Sequence, residues 1–161
     1  MANDDKLYVG IDPSFNSTGL IILDSKAELV KEMNFSLKEY ENIEEKLINF
    51  EKTIKFIPSI VRLKSVYIEG PAYMASGKYI LQMGALHYLL RLFLYRHSID
   101  YTVVAPGTLK KFVTGKGNAK KDLILLKVYK KWGVEFEVDD LADAYGLARM
   151  ALEEDQKWVT T

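Results

Sequence analysis

The sequence predicts an α/β protein with a mixed β-sheet. Five short apolar runs have the length and composition of strands, and longer segments with helical spacing of apolar residues separate the later runs. This order is typical of a sheet covered by helices. The 161 residues, 48% of them hydrophobic and 27% charged, fit a single domain over residues 1–161. Because the sequence has no cysteine, disulfides, zinc–thiolate sites and thiol chemistry are excluded.

The first three strands are predicted close together near the N-terminus. They cover Leu7 to Ile11, Gly19 to Asp24 and Glu28 to Phe35, and the residues NSTG supply the first turn. Connections this short join antiparallel neighbours, so the three strands form a meander. A helix is then predicted over Glu39 to Ile60, because apolar residues recur there at spacings of three and four.

Two more strands are predicted over Ser65 to Glu69 and Tyr101 to Ala105, and Pro106 stops the second. A helix separates them, and strands joined in this way run parallel. The result is a five-stranded mixed sheet, with three antiparallel strands followed by two parallel ones. Further helices are predicted over Ala119 to Trp132 and Asp139 to Glu154, and the helices flank the sheet.

The helix predicted over Ser76 to Arg96 carries two apolar faces, although a helix that lies on a sheet needs only one. Either another helix of the chain covers the second face, or a second copy covers it in a homodimer. The uninterrupted apolar runs are far shorter than the roughly 20 residues that a membrane span requires. One face contains Tyr79, Met83, Leu86, Leu90 and Phe93, and the other contains Leu81, Ala85, Tyr88 and Leu92.

Four carboxylates occupy positions where they could converge on a cation. Asp12 and Glu69 follow apolar strands, and Asp140 and Asp143 share one face of the last helix. Simpler explanations exist for most of them. Asp12 before proline suits a turn, and Glu69 suits a surface loop. Asp139 and Asp140 suit a helix N-terminus, as a cap or as first-turn charges. Asp143 lies among alanines and leucines, where these explanations fit worst.

Carboxylate oxygens select hard cations, so the expected ion is Mg²⁺, with Mn²⁺ able to substitute. Four carboxylates can hold two such ions about 3.5–4 Å apart, which suits phosphodiester cleavage. His87 and His97 are interpreted as structural or surface groups.

The net charge of zero hides a basic segment beside an acidic one. Residues 108–131 contain eight lysines and one acid, whereas residues 135–155 contain eight acids and one arginine. This arrangement fits a site that binds phosphate and also holds metal, but two solvated helix faces would explain it equally well. In the loop GKGNAKK, Asn118 is a possible helix cap, and the lysines suited to DNA backbone contacts are Lys116, Lys120 and Lys121. A solvated loop is the alternative.

The loop PAYMASGKY places Tyr73 shortly after Glu69. An aromatic side chain there could stack on bases or wedge between them, or it could fold onto the core. The N-terminus, MANDDKLYVG, has no apolar signal core, which favours a cytoplasmic protein.

Together, GIDPSFNSTG, IEGP, GKGNAKK and DDLADAYGLA resemble the RuvC family of Holliday junction resolvases, within the ribonuclease H-like superfamily. The resemblance spans nearly the whole chain. It implies a ribonuclease H-like fold and a Mg²⁺-dependent homodimer that nicks four-way junctions and other branched DNA. The small, divergent sequence resembles bacteriophage versions, which act in the host cytoplasm.

The same resemblance implies roles for individual residues. Lys110 and Lys121 match positions that contact DNA near the scissile phosphate, and Lys120 is an equal alternative. Tyr73 is shifted by one place from the family's wedge aromatic, and Asp139 duplicates the neighbouring acid. The metal-binding catalytic acids would be Asp12, Glu69, Asp140 and Asp143.

Three other functions are open. Sugar-kinase or actin-like ATPases share the strand–Asp–turn motif, but they need two domains and this chain is short for that. A non-catalytic junction-binding protein would keep the DNA contacts with a vestigial site. A ribonuclease H would cut RNA–DNA hybrids instead of branched DNA.

Overall fold

The predicted five-stranded mixed sheet is confirmed. A computed structural model of the protein describes residues 6–72 and 77–159. The strands are β1 (Leu7–Asp12), β2 (Thr18–Asp24), β3 (Leu29–Phe35), β4 (Leu63–Glu69) and β5 (Tyr101–Val104). They lie in the order β3-β2-β1-β4-β5. The first three are antiparallel, and β4 and β5 continue the sheet parallel to β1.

Five α-helices flank this sheet: α1 (Ile43–Ile54), α2 (Lys78–Arg96), α3 (Pro106–Thr114), α4 (Lys121–Trp132) and α5 (Asp139–Val159). The helix predicted over residues 39–60 is shorter in the structure. It begins after Asn42, whose side chain caps the helix by accepting a hydrogen bond from the backbone N–H of Glu45. It ends at Ile54, and a short 3₁₀ turn at Ile57–Ser59 follows.

The sequence analysis missed α3. Pro106 does end the region of β5, but it is also the first residue of a helix, a position where the missing N–H of proline costs no hydrogen bond. Gly115 then closes α3 with a φ of 82°. The predicted cap at Asn118 is also wrong, because α4 begins after Lys120 and makes no side-chain cap hydrogen bond.

Alternating residues of β1 face opposite layers. Tyr8 packs in the core under α3, α4 and α5, whereas Val9 and Ile11 pack in the core formed with α1 and α2. Gly10 therefore faces α5, and the helix backbone lies directly on the sheet there. A Cβ on Gly10 would lie 1.9 Å from the carbonyl oxygen of Ala144, and one on Gly19 would lie 2.1 Å from that of Asp140.

The two apolar faces of α2 differ in burial. Met83, Leu86, Leu90 and Phe93 are buried as predicted, but Tyr79 is 47% exposed because it lies at the start of the helix beside a cleft. The second face stays open: the exposed fractions are 76% for Leu81, 67% for Tyr88 and 44% for Leu92. No described helix is long and apolar enough to cross a membrane.

Candidate active site

The sheet brings two of the predicted acids to one edge. Asp12 ends β1 and Glu69 ends β4, and these strands are parallel neighbours. The carboxyl ends of adjacent parallel strands meet at the same edge of a sheet, where α/β proteins place ligands. Strand alternation turns both side chains toward the α5 layer, since Tyr8 and Tyr67 face the core on that side.

Helix α5 adds the third acid. Its buried small residues include Ala142, Ala144 and Ala148, and they allow the close approach to β1 and β2 described above. This approach holds Asp143, which is only 7% exposed, over the strand ends. One carboxylate oxygen from each of Asp12, Glu69 and Asp143 lies within 4.8 Å of the other two. Three segments far apart in sequence therefore form one acidic cluster.

The acidic cluster lies in a cleft of about 310 Å³. Asp140 also lines this cleft, together with Lys110 from α3 and Lys121 from α4. Small and apolar residues of the loops after β1 and β4, together with residues of α2, complete its walls. The cleft thus combines a concentrated negative charge at its base with lysines at its side, as a phosphate substrate would require.

Burial dominates the electrostatics of the cluster. It raises the pKa of Asp12 well above its ordinary value, and the charge of Glu69 and a hydrogen bond to it raise that pKa further. The pKa of Glu69 also rises through burial, while the hydrogen bond with Asp12 and the charge of Lys110 oppose the increase. When both carboxyl groups are ionised, their negative charges repel each other, and this repulsion favours a proton on the pair.

Asp143 is the most isolated member of the cluster. Burial, followed by the charges of Glu69 and Asp139, raises the pKa of Asp143 to about 7, although Lys121 lowers it. Its Oδ1 atom is buried and has no hydrogen-bond partner among residues 6–72 and 77–159. A buried, unpaired carboxylate oxygen is costly unless a ligand satisfies it.

These groups fit a divalent metal ion. The cluster offers only oxygen donors, which hard cations prefer. A cation would satisfy the unpaired Oδ1 of Asp143 and would offset both the burial and the neighbouring negative charges that raise the pKa values of the three acids.

The structure distinguishes the two adjacent aspartates of α5. Asp139 forms an ion pair with Lys121 and does not line the cleft. Asp140 lines the cleft, and its charge raises the pKa values of Asp12, Glu69 and Asp143. The carboxylate oxygens of Asp140 are nevertheless not part of the set from Asp12, Glu69 and Asp143 whose members lie within 4.8 Å of one another. Asp140 is therefore close to the cluster without belonging to its inner set.

The predicted DNA-binding residues have different positions. Lys110 is half-buried and Lys121 is mostly exposed, and both line the cleft. Lys116 and Lys120 are exposed and lie outside its lining. Tyr73 lies outside the described residues.

Sequence reasoning missed two residues of the cleft. Tyr79 was predicted to face the core, and His87 was interpreted as structural or surface-bound, but both line the cleft from α2. Burial and the nearby Arg91 lower the pKa of His87 to about 4, so its imidazole is neutral at pH 7. Neither residue has a motif around it that would have signalled this position.

The family model for crossover junction endodeoxyribonuclease RuvC matches residues 8–150. The chain belongs to the RuvC family. A RuvC from Orientia tsutsugamushi strain Boryong is 32% identical over 152 residues, which cover 86% of this chain and 92% of that protein. All four acids of the cleft, including Asp140, lie within the range that the RuvC model matches.

Solved structures of RuvC have the same fold. Thermus thermophilus RuvC in complex with Holliday junction substrate superposes with a TM-score of 0.79 and 19% identity, covering 94% of this chain and 96% of that chain. The Fowlpox virus resolvase in its Holliday junction complex superposes with a TM-score of 0.54 and 14% identity, covering 92% and 97%. The ribonuclease H-like expectation for the fold is therefore confirmed.

Proposed function

We propose that this RuvC-family chain is a metal-dependent endonuclease that resolves Holliday junctions and cuts other branched DNA. The observation that carries the proposal is the cluster of a buried Asp143 with the partly buried Asp12 and Glu69, beside two lysines. A vestigial site in a DNA-binding protein has no reason to keep three mutually repelling acids together in a cleft. Family membership then connects this chemistry to crossover junctions.

Asp12, Glu69 and Asp143 hold the metal, and Asp140 completes the set from the rim of the cleft. The ions are Mg²⁺, replaceable by Mn²⁺, and two are bound per site. When bound, such ions promote deprotonation of water and stabilise the charge that develops on a phosphodiester. The acids position the reacting groups.

The lysines of the cleft bind the DNA backbone. Lys110 and Lys121 flank the acids and contact the phosphates next to the scissile bond. Lys116 and Lys120, exposed in the α3–α4 connection, contact phosphates further along the strand. These contacts are independent of base sequence and weaken with salt. Tyr73 stacks on or wedges between bases at the junction.

The protein acts as a homodimer through the exposed face of α2. Leu81, Tyr88 and Tyr95 follow each other at intervals of seven residues, and their exposed fractions are 76%, 67% and 76%. An apolar stripe of this kind on a helix is typical of an interface. Since α2 also lines the acidic cleft, a two-fold dimer places two active sites in a defined relation on opposed strands.

The decisive experiment is cleavage of a four-way junction in the presence of Mg²⁺, with linear duplex and an RNA–DNA hybrid as alternative substrates. The wild-type chain should nick the junction in preference to both. Asp143→Asn should retain junction binding and lose at least about 10³-fold in cleavage, because an amide is a poor ligand for Mg²⁺. Asp100→Asn, an exposed aspartate just before β5, is the control and should cleave normally. Unimpaired cleavage by Asp143→Asn would refute the site.

A further inference from the structure

A second cleft, of about 390 Å³, lies between the C-terminal ends of α3 and α4. Lys111 contributes from α3, and Lys127, Lys130 and Lys131 contribute from α4. Among the described residues that line it, none is acidic. We call this feature the lysine cleft. It is separate from the acidic cleft, with which it shares no lining residue.

One of the four lysines is held by the protein. The Nζ of Lys131 donates a hydrogen bond of 3.3 Å to the carbonyl oxygen of Phe112, and it lies 4.5 Å from the Phe112 ring centre and 4.4 Å from that of Trp132. In the described ranges, Lys111, Lys127 and Lys130 form no ion pair. The lysine cleft therefore concentrates positive charge that an anionic ligand would neutralise.

Helix dipoles explain only part of this charge. Lys111 lies in the last turn of α3, and Lys130 lies in the last turn of α4, where cations offset the partial negative charge of a helix end. Lys127 lies outside that last turn, and the dipole effect fades within one turn. Binding of an anionic ligand accounts for the positions of Lys111, Lys127 and Lys130 together.

The position of the lysine cleft relative to the acids indicates the ligand. Helices α3 and α4 line both clefts. On α3, Lys110 lines the acidic cleft and the next residue, Lys111, lines the lysine cleft, so the separation of the two clefts is measured along α4. The rise along α4 from Lys121 to Lys130 is about 14 Å. One DNA strand advances about 3.4 Å per phosphate, so this separation corresponds to about four nucleotides.

We propose that the lysine cleft binds the phosphate backbone of a junction arm about four nucleotides from the scissile phosphate. The proposal rests on the proposed function, because it takes the scissile phosphate to lie in the acidic cleft. It adds a contact that orients one arm relative to the cut and is independent of base sequence.

The first test replaces Lys127 and Lys130 together by glutamine, in an Asp143→Asn background that prevents cleavage. The matched control is Lys52→Gln with Lys55→Gln, two exposed lysines with the same spacing at the C-terminal end of α1. Loss of two phosphate contacts should reduce the slope of log K against log salt by about 1.8 for junction binding. A slope equal to that of the control variant would overturn the proposal, even if the melting temperature changes.

The second test locates the contact. Methylphosphonates that neutralise phosphates about three to five nucleotides from the cut should weaken binding by the chain with an intact lysine cleft. They should not weaken binding further when Lys127 and Lys130 are already glutamine. Equal weakening of both proteins would overturn the proposal. Junction cleavage by the wild-type chain tests the proposed function separately, so failure of the lysine cleft alone would leave that result intact.

Discussion

Asp143 carries much of the electrostatic cost of the acidic cleft. Its carboxylate is buried, faces Glu69 and Asp139, and keeps one oxygen without a partner in the described parts of the chain. Burial and like charges both favour the protonated form. The cluster therefore holds protons when no cation is present, and a cation must displace them when it binds.

The metal-free protein should lose stability as the pH rises. The pKa of Asp143 increases from 3.8 to about 7 on folding, so between these values the folded state holds a proton that the unfolded state has released. The free energy of unfolding then falls by about 1.4 kcal/mol per pH unit for each such proton. Thermal melts in EDTA from pH 5 to 7 should show this decline, and Asp143→Asn should make it shallower, because the raised pKa values of Asp12 and Glu69 also contribute.

Addition of millimolar Mg²⁺ provides the control for that series. Because the ligands must be deprotonated, Mg²⁺ should raise the melting temperature more at pH 8 than at pH 5. A wild-type chain whose stability is independent of pH with EDTA and unchanged by Mg²⁺ would contradict the assignment of the cluster.

The two adjacent aspartates of α5 should differ in their effect on cleavage. Asp140 lines the cleft and perturbs the other acids, whereas Asp139 forms an ion pair with Lys121. Asp140→Asn should reduce the junction cleavage rate by about 10²-fold, because it removes a carboxylate that completes the proposed metal-holding set. Asp139→Asn should retain most of the rate. The reverse order in single-turnover assays would transfer the role to Asp139.

At the scale of secondary structure, backbone contact between α5 and the sheet sets the spacing of the acids. Asp12 pairs across the ladder with Gly19, and the carbonyl of Asp140 rests against Gly19. A side chain at that glycine would separate the helix from the strand. Gly19 thus determines how far Asp12 on β1 lies from the acids of α5.

Gly19→Ala should therefore reduce both stability and cleavage. The added Cβ would lie 2.1 Å from the Asp140 carbonyl oxygen, so α5 must shift, and overpacking of this kind costs about 1–3 kcal/mol. A shift of α5 would move Asp143 relative to Asp12 and should lower the cleavage rate by about 10²-fold. Gly107→Ala is the control, since its Cβ would meet an ordinary contact at 3.6 Å. Equal melting temperatures and rates for both variants would contradict this account.

Local patterns predicted most of the elements. All five strands were found within two residues of their ends, because alternation and turn residues mark them. Helix α3 was missed because Pro106 both stops a strand and starts a helix. Four acids, Asp12, Glu69, Asp140 and Asp143, were predicted to converge from strand ends and helix spacing. The structure brings oxygens of Asp12, Glu69 and Asp143 together, and Asp140 lines the same cleft.

The remaining details of the site depend on tertiary packing. Asp139 and Asp140 fit a helix N-terminus equally well, so only the cleft and the Lys121 ion pair separate them. The exposure of Tyr79 and the position of His87 depend on how α2 lies over the strand ends. The lysine cleft arises because the ends of α3 and α4 meet, and no linear motif records that meeting.

At the scale of the whole molecule, the two faces of the sheet serve different purposes. Helices α3, α4 and α5 cover one face and contribute acids and lysines to the two clefts. Helices α1 and α2 cover the other face, and α2 keeps an apolar stripe exposed. The proposed assembly face on α2 thus lies in the layer opposite α5, although other residues of α2 line the acidic cleft.

Disruption of the exposed apolar face of α2 should prevent paired cleavage of opposed strands while nicking of single strands continues. Leu81→Glu places a charge in the proposed interface, where its desolvation would oppose dimer formation, and sedimentation at micromolar concentration should show a monomer. The control is Ile48→Glu on α1, because Ile48 is also an exposed aliphatic residue of a helix, at 52% against 76% for Leu81.

A supercoiled plasmid that extrudes a cruciform separates the two activities. A dimer that cuts both opposed strands before the supercoil relaxes should convert it to linear DNA, whereas independent monomers should leave nicked circles. Wild type and Ile48→Glu should therefore give linear product, and Leu81→Glu should give mainly nicked circles, because Leu81 does not line the acidic cleft and its substitution leaves the acids in place. Linear product from a monomeric Leu81→Glu chain would show that paired cutting does not need this interface.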